Sequence, residues 1–537
     1  MPRHSLWLMA ALVWLCGAGS RAAEMPSAAP LLSNGNLAKV DAKGWPVDWP
    51  QSEGVTAEKE GETVFLRLKS SRPGQMVMVY RRVNLPTPPP AGIEVRLRVR
   101  YSDIQSGKQK WNDGRVIAHF KGQGDRTLKP EPPTPEFRGS SSGWEERTYL
   151  ATVPLGAKSL EIMPCLLQAA AGTLDLARCE VLPVTTAQLA AARPAAIPSE
   201  TVLVPKGEHL PLELHVAGNR LQTAGGKGVW LQGLCVDSLE WSAGGEKIAQ
   251  SIPVAIEQWK ANVIRLPVRD DFWFGKGPGQ RKDGGVGYRK VVDGVIEAAA
   301  SRGAYVALDL HRFGAPTTEH VEFWKDAATR YKNHPAVLFE LFNEPHSLSW
   351  KLWRDGGGLT DPKKPDELTG EVTPGMQALL DVTRKVGARN VVIAGGLDWS
   401  YDLSGVLQGY ALQERAGGNG IVYSSHIYPW KSDWNGKVLA AAEKFPLFIG
   451  EVGCPPDWKG FEFIPPSGRT EDLSAHAWPP DVLGMIQKHR LHWTGFSFHP
   501  KAAPTIISDW QYTPNEHWGV FVKDALAGKQ FESKKLR

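Results

Sequence analysis

From Leu31 to about Thr185 apolar and polar residues alternate with period two: Val95, Leu97, Val99 and Tyr101 interleave with Arg96, Arg98 and Arg100, and Val64, Leu66 and Leu68 with Phe65, Arg67 and Lys69. Such alternation gives a strand one buried and one wet face. It predicts Phe65 on the wet side. Turn residues punctuate the stretch at Pro86 to Pro90, Pro130 to Pro135 and Gly139 to Gly143. Short strands with dense turns predict an all-β sandwich over residues 25–185.

Residues 186–205 shift to Ala and Pro and read as a linker or a short connecting helix. Beyond them, over 206–537, short apolar runs alternate with amphipathic stretches. The runs begin at Val229, Val263, Tyr305, Val337, Val391, Ile421, Leu447 and Thr494, and helical stretches include Ile252 to Lys260, Lys290 to Arg302, Val321 to Tyr331, Pro374 to Val386 and Asp481 to Lys488. Eight strands separated by helices predict an α/β fold, a (β/α)8 TIM barrel. A doubly wound sheet is the alternative, but no Gly-rich phosphate fingerprint follows a strand.

Composition adds limits. Of the 537 residues, 42% are hydrophobic and 22% charged, which suits globular domains rather than disorder. A net charge of +5 on so long a chain calls for neither nucleic acid nor an acidic membrane as partner. Residues 1–22 read as a signal peptide, with Arg3 before the apolar Leu6 to Leu15 and small residues up to Ala22. Cys16 as a lipid anchor fits less well, because the bulky Leu15 precedes it. The mature chain is therefore expected to be secreted or periplasmic, and is read as a monomer. Cys165, Cys179, Cys235 and Cys454 remain after cleavage; Cys165 and Cys179 are either a bridge across a hairpin or two separate buried thiols.

In a barrel, chemistry gathers where strands end in loops at the C-terminal face. The polar residues there are Arg265 in strand two, Asp309 and His311 at strand three, Asn343 and Glu344 at strand four, His426 and Tyr428 at strand six, and Glu451 at strand seven. Glu344 and Glu451 thus face one mouth from two strands. Paired carboxylates are what glycoside hydrolysis needs, one to protonate the leaving oxygen and one to attack the anomeric carbon or activate water. A lone Glu at a strand end is more often a surface residue; the pairing gives these two weight. His489 and His492 have a zinc-compatible spacing but no third ligand, and Gly139-Ser140-Ser141-Ser142-Gly143 matches a nucleophile elbow but precedes a strand, not a helix.

The run Leu341-Phe342-Asn343-Glu344-Pro345-His346, with Ile264-Arg265-Leu266-Pro267 before it and His426-Ile427-Tyr428 and Ile449-Gly450-Glu451-Val452-Gly453 after it, resembles glycoside hydrolase family 5, the cellulases and mannanases. The resemblance implies that Glu344 is the acid/base and Glu451 the nucleophile of a retaining double displacement. It implies further that Asn343 bonds the sugar 2-hydroxyl, that Arg265 and Tyr428 keep the nucleophile ionised and aligned, and that His311 and His426 line the cleaved bond. No metal or other cofactor is expected. The implied substrate is a polysaccharide or oligosaccharide with a β-1,4-glucan backbone. Alternatives are a β-mannanase, an exo-acting β-glucosidase, or a non-catalytic glycan-binding protein on the same scaffold. The family commonly carries a Trp at strand eight; here Phe498 or His499 falls near that position, or Trp510 replaces it. The N-terminal module resembles jelly-roll carbohydrate-binding modules, through Asn34-Gly35, Gly44-Trp45-Pro46 and Gly172 to Leu176.

Trp (21) outnumbers Phe (17) and Tyr (11). Flat sugar faces stack on indole rings, so a long glycan cleft accounts for exposed Trp. Trp399 and Trp430 are placed as platforms, with Trp241 and Trp273 as weaker candidates, whereas Trp259, Trp324 and Trp518 read as core. In the β module Trp45, Trp49, Trp111 and Trp144 are glycan-binding or packing residues.

Overall fold

The computed structural model describes residues 29–192, 199–202, 204, 209–457, 459, 463–464 and 477–537. The signal-peptide reading lies outside them, as does part of the linker. The chain divides into two compact units, the first comprising 1–125, 131–153 and 157–192 and the second 126–130, 154–156 and 193–537.

The first unit holds two antiparallel sheets, as the period-two pattern requires. In one, Gly92–Gln105 runs between the edge strand Glu145–Thr152 and the central Ala171–Val184, with Thr63–Lys69 and Val55–Glu60 beyond the latter. The other is built around Ser159–Leu166 and Gly114–Lys121. Val95, Leu97, Val99, Leu66 and Leu68 are buried. Phe65 departs from the expected wet side, being 3% exposed. The guanidinium groups of Arg67 and Arg100 each lie 5.3 Å from its ring centre, and Trp144 meets it edge-on at 5.4 Å. Arg67 and Arg100 both bind Asp175, so this outer face is closed by charge rather than by apolar packing. Cys165 and Cys179 are free thiols on strands of different sheets. The Gly139 to Gly143 loop is pinned by the Ser141 N–H, which donates to the Tyr101 carbonyl at 2.9 Å, and a strand follows it.

In the second unit eight parallel strands close a barrel in chain order: Gln232–Cys235, Val263–Val268, Tyr305–Leu310, Val337–Glu340, Val392–Gly395, Ile421–Ile427, Leu447–Val452 and His492–Gly495. Strand one begins at Gln232, three residues later than the apolar run suggested. Val229 instead pairs in a three-stranded antiparallel sheet with Leu214–Ala217 and Arg220–Thr223. At Gly233 a side chain has no room, because a β-carbon there would sit 1.8 Å from the Val263 carbonyl oxygen. The main helices are Val286–Ala300, Thr318–Tyr331, Gly375–Lys385 and Trp478–His489.

Alternation within the barrel strands builds two cores. Ile264, Leu266, Val306, Leu308 and Phe339 join the larger apolar cluster together with helix residues such as Val292, Phe323 and Leu379. Val263, Ala307, Leu338, Ile393, Val422 and Phe448 form the other, with Leu214 and Leu221 of the small sheet. Two residues further along these strands the side chains become polar: Arg265, Asp309, Glu340 and Ser424, all buried. A hydrophobic floor thus carries a charged layer beneath the mouth. Among the described residues no helix is long and apolar enough to cross a membrane.

Candidate active site

Arg265 is the hub of the charged layer. Its Nε donates to Glu340 Oε2 at 2.7 Å, its Nη1 to Glu451 Oε1 at 2.9 Å and its Nη2 to Asn343 Oδ1 at 2.7 Å, while Asp309 lies 3.1 Å away. An uncompensated guanidinium could not be buried so completely; three carboxylates compensate this one. Glu340 also accepts from Ser424 Oγ at 3.3 Å. Gly450 makes room for it, since a β-carbon there would come within 3.0 Å of Glu340 Oε1 and His426 Nε2.

Glu451 belongs to strand seven itself, and Tyr428 donates its hydroxyl hydrogen to Glu451 Oε2 at 2.5 Å. Burial works to raise the Glu451 carboxyl, but His426, Arg265 and His311, aided by the Tyr428 hydroxyl, outweigh it and hold the group at about 2. Glu344 leaves strand four into a two-residue strand, Glu344–Pro345, that pairs with Phe313–Gly314. Its Oε1 lies 3.0 Å from His426 Nδ1, which is also 3.6 Å from Glu451 Oε2. Burial works to lower the pKa of His426, yet Glu451, Glu340 and Glu344 push it up to about 9. His311 rises likewise to about 9 against its burial, through Asp309 at 2.8 Å from its Nδ1. Glu344, His426 and Glu451 offer atoms all within 4.8 Å of one another, a spacing that would also admit a cation among the described residues. Arg265 and the two cationic histidines already supply positive charge there.

Seven of the residues singled out by sequence therefore meet in one network: Arg265, His311, Asn343, Glu344, His426, Tyr428 and Glu451. Asn343 is oriented by Arg265 so that its Nδ2 has no hydrogen-bond partner among the described residues. Trp399 is 46% exposed and stacks on His346, two residues after Glu344, with centroids 4.3 Å apart. Asp398, Trp399 and Ser400 all have φ near +58°, a left-handed turn that turns the chain sharply after strand five. Trp430 stacks on Tyr428 at 4.8 Å with the rings parallel to 1°. Trp510 meets His499 edge-on at 4.7 Å, and Lys247 caps its ring at 5.5 Å.

Two aromatic expectations need correction. Phe498 is 1% exposed, packed between Trp259 and Tyr512, so it has no face for a sugar. Phe496, the first residue after strand eight, is partly exposed with its ring 6.5 Å from Tyr428. Trp273 is fully buried and donates from Nε1 to Asp326 at 2.6 Å, so it is no platform. Trp241 is 43% exposed. In the β module the indoles of Trp45 and Trp49 donate to backbone carbonyls, Trp144 is covered by Arg100 at 4.5 Å, and Trp111 stands exposed. His492 lies buried in strand eight and accepts from the Leu231 N–H at 3.0 Å, whereas His489 ends a helix.

Sequence reading passed over Glu340, Cys235, Asp237 and Glu240. Glu340 carries the one available signal, as an acid inside an apolar strand.

Residues 223–502, rather more than half of the chain, match the model of the family "Cellulase (glycosyl hydrolase family 5)". The chain is 26% identical over 361 residues to an endoglucanase of Paenibacillus polymyxa, covering 55% of this chain and 83% of that protein. It is 25% identical over 227 residues to endoglucanase Z of Dickeya dadantii, covering 40% and 45%, so less than half of that relative is spanned. Among solved structures it is similar to the β-glucanase SdGluc5_26A from Saccharophagus degradans in complex with cellotetraose, at 23% identity and a TM-score of 0.48, covering 63% of this chain and 98% of that one.

Proposed function

The chain belongs to glycosyl hydrolase family 5 and carries a glycoside hydrolase domain, and from that premise we propose that it cleaves the backbone of a β-1,4-glucan from within, by double displacement at Glu344 and Glu451. The observation that carries the mechanism is the spacing of the two glutamates, which offer oxygens within 4.8 Å of one another. Retaining glycosidases hold their carboxyl groups about 5–5.5 Å apart, whereas inverting ones leave about 6.5–9.5 Å for a water.

In this reading Glu451 attacks the anomeric carbon while Glu344 protonates the departing oxygen. Glu451 suits attack because the surrounding cations and the Tyr428 hydroxyl keep it ionised. Glu344 is the more exposed of the two and can reach a leaving group or an incoming water. Once Glu451 is glycosylated its charge is gone, and Glu344 takes the proton of the water that releases the sugar. Asn343 would give its unpartnered amide hydrogens to the 2-hydroxyl of the sugar. Trp399 offers its exposed ring to a neighbouring sugar. The choice of β-glucan and of internal cleavage is supported by relatives named endoglucanases in Paenibacillus polymyxa and Dickeya dadantii.

The test is a panel of soluble β-glucans, mannans and xylans with the parent, Glu344→Gln and Glu451→Gln. Hydrolysis of β-glucan by the parent and loss of about 10²-fold or more in either variant is expected. Undiminished variants would refute the assignment, and a preference for mannan would move the substrate.

A further inference from the structure

Barrel strand one leads to an acid that this reaction leaves unused. Asp237 lies two residues beyond the strand and is buried. Its Oδ1 accepts the Cys235 thiol hydrogen at 3.2 Å, and its Oδ2 has no hydrogen-bond partner among the described residues. The Ser497 side chain faces the same carboxyl, but its hydroxyl donates to the Ala502 carbonyl at 2.8 Å. The ionisable groups that act most strongly on Asp237 are Cys235 on strand one, His311 after strand three and Glu451 on strand seven, and Glu240 on its own loop feels its charge as well. Glu240 is buried too, its carboxylate accepting the Ser238 N–H at 2.8 Å.

A buried carboxylate needs several donors, and this one has a single weak thiol with two further acids close by. A neutral carboxyl has no such need, and its O–H can donate to the Ser497 oxygen, whose own hydrogen is already engaged. The direction of the proton affinity agrees: burial above all pushes Asp237 up to about 6. Cys235 then links this acid to the reaction. Its sulfur accepts from Arg265 Nη1 at 3.6 Å, and the same nitrogen donates to Glu451 Oε1 at 2.9 Å.

We propose that Asp237 is a positioning residue for the reaction at Glu451: held neutral by its surroundings, it fixes the Cys235 thiol against Arg265 and so keeps the guanidinium on the nucleophile. The proposal rests on the role assigned to Glu451 above. Ionised, Asp237 competes with Glu451 for His311 and adds a negative charge beside it, which weakens the hold on the nucleophile.

Asp237→Asn keeps the shape and stays neutral. On soluble β-glucan its kcat/KM at pH 5 should stay within about threefold of the parent, KM should be unmoved, and the alkaline limb should lie about one pH unit higher. An unshifted limb, or a folded variant inactive at every pH, overturns the proposal. Infrared difference spectra provide an arm independent of hydrolysis: the parent should lose a protonated-carboxyl band between about pH 5 and 7 that Asp237→Asn lacks. Absence of that band at pH 5 overturns the proposal even in an inactive parent, whereas its presence in a parent that cleaves no glycan faults only the proposed reaction. Should Asp237→Asn not fold, Cys235→Ala cuts the link instead; kcat should then fall with KM unchanged, and an unchanged kcat is the contrary result.

Discussion

Arg265 Nη1 stands 2.9 Å from Glu451 Oε1, in a layer where the arginine has no solvent contact at all. One guanidinium therefore both stabilises the barrel interior and sets the charge on the nucleophile. Substituting it separates these effects. Arg265→Met leaves Glu340, Asp309 and Glu451 buried with only His426 and His311 to balance them and should lower unfolding stability by about 3–5 kcal/mol, read from urea denaturation. Arg265→Lys keeps a charge but not the three-way fork, so it should fold better than Arg265→Met and still lose most of kcat. Equal stability of Arg265→Met and the parent would contradict this account of the layer.

Tyr428→Phe removes one donor from Glu451 and nothing else of similar size. A hydrogen bond to a charged group contributes about 1.5–3 kcal/mol, so kcat/KM near neutrality should fall roughly 10- to 100-fold. With less holding it down, the Glu451 carboxyl rises from about 2, and the acid limb of kcat/KM should move to higher pH. A loss of rate without movement of that limb would mean that the hydroxyl only orients the nucleophile.

His426 gives a stability prediction with a defined sign. Its folded pKa of about 9 lies above the usual histidine value of 6.5. Its contribution is therefore complete below about pH 6.5 and disappears as pH rises through about 9. His426→Asn should melt below the parent at pH 6, with the gap closing by about pH 9.5. Thermal unfolding across this range checks it, and a constant gap would be the contrary result.

Trp399 is 46% exposed, stacked on His346 and capped by the Lys431 ammonium 5.5 Å from its ring centre, so Trp399→Ala should leave the melting temperature nearly unchanged. Loss of an aromatic stack costs about 0.5–1.5 kcal/mol, so KM for long β-glucan oligosaccharides should rise about 2- to 12-fold. Short substrates that do not reach the ring should be unaffected. Comparing KM over a series of chain lengths checks this.

Most of the barrel was legible because parallel strands are buried on both faces and read as apolar runs between amphipathic helices. Strand one was not, because Val229 and Leu231 serve the floor of the barrel while the strand itself starts at Gln232 and depends on Gly233. The polar site residues stood out as polar positions ending apolar runs, from Arg265 to Glu451. Glu340 was hidden because it sits one turn of alternation below the mouth, in a run that otherwise looks like core. Phe65 illustrates the converse: period two marked it as wet, but stacked arginines cover it. The aromatic positions after strand eight could not be assigned from order alone, because a one-residue step exchanges the partly exposed Phe496 for a buried neighbour and decides whether Phe498 faces sugar or Trp259.

The most direct test of a double displacement at Glu344 and Glu451 is the anomeric configuration of the first product. Proton NMR of a soluble β-glucan oligosaccharide, recorded in the first minutes of hydrolysis before mutarotation, should show the β-anomer appearing at the new reducing end. Initial formation of the α-anomer would contradict the double displacement.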